Sequence, residues 1–187
     1  MHRHTILIVC SGNMFRSPVA AYCLRRALDD EGLGDLIEVT SRGIQGLKGI
    51  DPTTEGKKNI RDYPVEWGNA EPALMRYGIN IDDHRSTVVT EDILTQASLV
   101  LAVEWGVLIT RPNSLVRSFP GHVWKMRLFT EIDGRCNDIQ DTANTDTATY
   151  ERVTELIDST ARRGTRYIMQ WITNIHNQTQ NQTGEKQ

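Results

Sequence analysis

A single doubly wound α/β domain with a four-stranded parallel sheet is what this sequence predicts, from three observations. Residues 5–9 (Thr-Ile-Leu-Ile-Val) form a β-branched and aliphatic run, the pattern of a strand buried on both faces. Residues 19–28, rich in Ala, Leu and Arg, follow as a helix, with Pro18 where a first turn tolerates a missing N–H. Residues 36–41 then read as a second strand, which completes the strand–helix–strand pattern of a parallel crossover.

Between the first strand and helix lies Cys10-Ser11-Gly12-Asn13-Met14-Phe15-Arg16-Ser17-Pro18. Gly12 tolerates positive φ and Asn13 is among the few residues that tolerate the left-handed region, so the backbone N–H groups of this loop are free to turn inward. Inward N–H groups at a helix N-terminus make a nest for a tetrahedral dianion. Arg16 adds a planar fork for two phosphate oxygens, and the same positive field favours a thiolate over a thiol at Cys10. The loop therefore predicts an anion cradle with a nucleophile at its floor.

This stretch resembles the signature of the low-molecular-weight protein tyrosine phosphatases: a hydrophobic residue, Cys, two residues ending in Gly, Asn, two variable residues, Arg, Ser and Pro. The resemblance implies a phosphate-binding loop after the first strand, contributed by Ser11, Gly12, Asn13, Met14, Phe15 and Arg16. It implies metal-free, cofactor-free hydrolysis of a phosphomonoester, with a protein phosphotyrosine as substrate and a cysteinyl-phosphate intermediate. It also implies that Asn13, Ser17, Ser41 and His84 support the loop.

Composition bounds the rest. The chain has 187 residues, 39% hydrophobic and 24% charged, enough for one domain with a substantial core. A net charge of −3 gives no electrostatic case for nucleic acid, and no apolar run approaches the roughly 20 residues of a membrane span. Cys10, Cys23 and Cys136 are odd in number and lack metal-ligand spacing among themselves or with the five His, so reduced thiols and a cytoplasmic location are expected.

The domain is expected over residues 1–175. Residues 50–69 hold Pro52, Gly56, Pro64 and Gly68 and read as an insertion, a solvated loop; alternatively, Tyr63 or Trp67 returns to the pocket mouth. Such a return would replace the family's aromatic wall, since Leu47 stands where the family has tryptophan. Residues 71–77 read as a short helix stopped by Gly78, and 90–96 as a second opened by Thr90. Residues 97–103 read as a central strand; Glu104 after it reads as a helix-start acid or, alternatively, as a group supporting the site's own residues, and Trp105 is another candidate wall. A helix over 106–115 interrupted by Pro112, a fourth strand at 123–129, and a long helix over 149–175 follow. The Gln- and Asn-rich residues 176–187 are expected to be a disordered tail.

Residues 130–149 contain Asp133, Asp138, Asp141 and Asp146. A thiolate attacking phosphorus needs a proton donor for the departing oxygen, and a carboxylic acid on a separate loop supplies it. The resemblance selects Asp141: the family's acid lies nine residues before an aromatic that opens the last helix, as Asp141 lies before Tyr150. The family's following proline is Thr142, and the usual aromatics after it are Ala143 and Asn144. Two rival readings share the fold. One is a non-catalytic phosphoprotein-binding module that keeps Arg16 without needing Asp141. The other is an arsenate reductase, which would need two relay cysteines that 75–100 does not contain.

Overall fold

The computed structural model describes residues 3–50 and 57–184, with the side chains of 169 and 172–184 left undescribed. Strand β1 (His4–Cys10) is the centre of the sheet, and Ile6, Leu7, Ile8 and Val9 are fully buried. It pairs in parallel with β2 (Ile37–Gly43) on one side and β3 (Leu99–Ala102) on the other; β4 (Met126–Leu128) pairs in parallel with β3. The order β2-β1-β3-β4 is the expected four-stranded parallel sheet.

Alternation along β1 divides the core. Ile6, Ile8 and Cys10 face a cluster with α1 (Arg16–Asp30) and α5 (Thr147–Gly184). Leu7 and Val9 face a second cluster with Leu94 of α3 (Glu91–Gln96) and Leu115 of α4 (Leu115–Ser118). The chain leaves β1 toward β2 on one side and later returns to β3 on the other. The loop after β1 therefore lies at the sheet's switch point, where open α/β sheets gather ligands.

The 50–69 segment departs from expectation. Residues 51–56 lie outside the described residues, but Ile60–Asp62 is a 3-10 turn and α2 (Pro64–Arg76) starts directly after Tyr63. Pro64 sits at the first helical position, where its missing N–H costs nothing, and Ala70, Ala73 and Leu74 bury one face of the helix. From Ile60 on, the described part of the segment is thus largely helical rather than a loop, and the helix it opens packs against α5. The helix read over 106–115 is instead a π turn, Gly106–Thr110, followed by short α4.

The last helix reaches Gly184 and does not stop at residue 175. The tail expected to be disordered is helical as far as Gly184; 185–187 lie outside the described residues. A helix nucleated by packing propagates at little cost per residue, and no Pro or Gly interrupts residues 165–183. Among the described residues no helix is long and apolar enough to cross a membrane.

Candidate active site

Helix α1 begins with Phe15 as its N-cap and no side-chain cap. Its first N–H groups are therefore unclaimed by a capping side chain, and they border the loop that carries Cys10. Asn13 has φ of 54° and buries its side chain completely. Its Nδ2 donates to Ser17 Oγ and to Ser41 Oγ, each at 3.0 Å, and its Oδ1 accepts the Thr87 N–H at 2.9 Å. The Asn13 carbonyl faces His84 Nε2 at 2.7 Å. Asn13, Ser17, Ser41 and His84 form one connected network behind the loop.

Gly43, at the end of β2, makes this fit possible. A Cβ there would meet the Ser11 carbonyl at 2.6 Å and the Asn13 nitrogen at 3.0 Å. The network also reaches the sulfur. The Asn13 N–H donates to Cys10 Sγ at 3.1 Å, and the Ser17 hydroxyl donates to it at 3.0 Å. Because Ser17 Oγ accepts from Asn13, its proton turns toward Cys10 or toward the Arg42 carbonyl at 3.3 Å.

The Arg16 side chain is 3% exposed. It donates to the Ile139 carbonyl at 3.0 Å, meets Glu104 Oε2 at 3.3 Å and pairs with Asp141 Oδ1 at 3.1 Å. Burial alone would lower the guanidinium, but Cys10, Asp141 and Glu104 hold it above its ordinary value. Glu104 is therefore a buttress of Arg16, one of its two expected readings, while its carbonyl also accepts the Leu108 N–H where the turn at Gly106 begins. The other carboxylate oxygen of Glu104 accepts from Arg111 at 2.9 Å, and Arg111 donates to Ser11 Oγ at 2.6 Å.

The four aspartates of the 130–149 segment separate by contact. Asp133 pairs with Arg135 and Arg163, Asp138 accepts the Trp105 N–H, and Asp146 accepts the Thr149 N–H at the start of α5. Asp141 alone of the four lines the pocket over Cys10. This cavity of about 400 Å³ is lined by Cys10, Ser11, Gly12, Met14, Phe15 and Arg16 below. Gln45, Tyr63, Glu66, Thr142, Ala143, Asn144 and Tyr150 are among its walls.

Tyr63 thus reaches the pocket from the α2 entry. Trp67 does not: it packs on the core, with Arg61 stacked 3.9 Å from its ring. Leu47 packs into the second core cluster, and neither it nor Trp105 lines the pocket. Glu66, Asn69 and Arg111 were not singled out from sequence, since each meets its partner across 76 to 100 residues of chain.

A family model described as low molecular weight phosphotyrosine protein phosphatase matches residues 5–179. A probable low molecular weight protein-tyrosine-phosphatase EpsP of Ralstonia solanacearum is 33% identical over 99 residues, 53% of this chain and 54% of that protein. The chain therefore spans about half the length of this relative. An arsenate reductase of Brevibacillus brevis is 30% identical over 122 residues, 65% of this chain and 71% of that one. Among solved structures, a YwlE mutant from Bacillus subtilis superposes with a TM-score of 0.68 at 22% identity, covering 89% of this chain and 99% of that one. The family match runs through every element that builds the pocket, and the chain belongs to the low molecular weight phosphotyrosine protein phosphatase family.

Proposed function

We propose that this chain hydrolyses phosphomonoesters, with phosphotyrosine in proteins as the substrate, through a phosphorylated Cys10. The observation that carries the reading is the placement of Cys10 Sγ at the floor of a pocket. Arg16 and the uncapped start of α1 surround it, and Asp141 faces it from another loop.

The steps follow from those positions. The Cys10 thiolate attacks phosphorus while Arg16 and the loop amides take the equatorial oxygens, whose charge is held by donors already in place. The bond to the leaving oxygen breaks, and protonated Asp141 gives that oxygen its proton. The resulting Asp141 carboxylate then accepts a proton from water as the water oxygen attacks the phosphocysteine. The S–P bond breaks, and inorganic phosphate and the thiolate are released. Ser17, which donates to the sulfur at 3.0 Å, holds the sulfur in place as it attacks and again as it leaves.

Tyr63 supports an aryl substrate, because it offers the pocket an aromatic face where Leu47 offers none. We place the activity in the cytoplasm, on the strength of three free cysteines that include the nucleophile. The test is a burst of phenolate from an aryl phosphate, absent in Cys10→Ser, alongside phosphotyrosine, phosphoserine, phosphoarginine and arsenate. Tight phosphopeptide binding without turnover would replace this reading with a binding module, and turnover of arsenate alone would replace it with a reductase.

A further inference from the structure

Residues 135–146, which carry Asp141, contain neither helix nor strand. The segment after Asp141 is held from one side by α2. Glu66 Oε1 accepts the Asn144 N–H at 2.9 Å, and Glu66 Oε2 accepts the Tyr150 hydroxyl. That phenol oxygen also meets the Thr142 side chain, next in sequence to Asp141. Asn69, one turn beyond Glu66, donates to the Thr145 carbonyl at 2.9 Å and accepts the Thr147 hydroxyl at 3.0 Å. Residues three apart share one helix face, so a single edge of α2 grips residues 144–150 at four points.

The grip includes the loop's left-handed residue, Asn144, whose φ of 58° is a conformation that asparagine tolerates. Asp141 contributes little to its own anchoring. Its side chain is 52% exposed, and among the described residues it accepts, apart from Arg16, only a long 3.4 Å bond from the Ala143 N–H. Each Glu66 oxygen accepts a bond, one from the loop and one from Tyr150, which makes Glu66 a fastening for the loop.

We infer that Glu66 and Asn69 are positioning residues for Asp141, with α2 holding the acid loop at the distance from Cys10 that proton delivery requires. The inference rests on Asp141 being the general acid. A general acid matters most for a poor leaving group, so the readout is the ratio of kcat/KM for phenyl phosphate to that for 2,4-dinitrophenyl phosphate. Asp141→Asn sets the reference by lowering that ratio.

Glu66→Ala and Asn69→Ala should each lower the ratio by about tenfold or more, with Glu66→Gln restoring part of it. In the Asp141→Asn background neither change should lower it further. An equal loss on both substrates, or an unchanged ratio, overturns the inference while the Asp141 result stands. An unchanged ratio in Asp141→Asn itself removes the acid assignment and this inference with it. Asn69→Ala removes hydrogen bonds at a single side chain, so the test survives if Glu66→Ala fails to fold.

Discussion

Arg16 and Asp141 meet through an ion pair of 3.1 Å in which the arginine is 3% exposed and the aspartate 52% exposed. Both residues line the pocket over Cys10, so an incoming phosphate dianion would compete with the carboxylate for the guanidinium. Asp141→Asn should therefore bind inorganic phosphate at least as tightly as the wild type, while kcat/KM for phenyl phosphate falls about a hundredfold or more. Isothermal titration and steady-state kinetics measure the two halves. Weaker phosphate binding in the variant would place Asp141 among the anion's ligands instead.

Asn13 joins the loop's backbone conformation to its support. Its side chain spends both Nδ2 protons on Ser17 and Ser41, and its oxygen on the Thr87 N–H. Asn13→Ala strands the Thr87 donor and keeps a Cβ at φ of 54°, and should cost about 2–3 kcal/mol in urea unfolding. Asn13→Gly loses the same bonds but relieves the left-handed strain, so it should be the milder change by about 0.5–1 kcal/mol. An alanine variant as stable as the glycine variant would refute the strain.

His84 gives the fold a pH dependence of definite sign. Burial lowers its imidazole below the ordinary value; the bond to the Asn13 carbonyl opposes this, and Arg42, Arg85 and Arg25 add to it. The folded chain thus takes up this proton at lower pH than the unfolded chain does. The stability that His84 contributes is complete above about pH 6.5 and shrinks as pH falls from there toward the folded value. Glutamine keeps a donor for Asn13 but does not titrate. The stability advantage of wild type over His84→Gln should therefore be largest near about pH 8 and smaller near about pH 5. Parallel unfolding midpoints across that range would exclude the effect.

What was legible in the sequence was local. An aliphatic run, a loop with Gly12 and Asn13, and a proline at a helix start lie within the first 18 residues, and they made β1, the loop after it and α1 readable. Asp141 was reached only through its spacing to Tyr150; local composition favours Asp138 and Asp146 equally. The contacts of α2 with residues 144–150 were not legible, because Pro64 and Gly68 read as breakers. Pro64 opens the helix instead, and packing against α5 accompanies the helix across Gly68 and Pro72. Glu104 left two readings open for a like reason: what decides between them is Arg16, 88 residues earlier.

The three thiols sit in environments different enough to be told apart chemically. Burial, and after it the nearby Asp158 carboxylate, pushes the Cys23 thiol up to about 12, and its side chain lies within the α1 core face. Cys136 is exposed. Cys10 is 2% exposed as a residue, yet it opens into the pocket, and two donors point at its sulfur. Brief iodoacetamide treatment of the native protein near about pH 8 should alkylate Cys136 and Cys10 and spare Cys23. Inorganic phosphate should slow the reaction at Cys10 alone, because only there does the anion occupy the approach to the sulfur. Peptide mass spectrometry reads all three sites in one sample. Labelling of Cys23 as fast as Cys136 would break the core assignment. A Cys10 rate indifferent to phosphate would separate the thiol from the anion cradle, and the chemistry proposed for this pocket would lose its nucleophile.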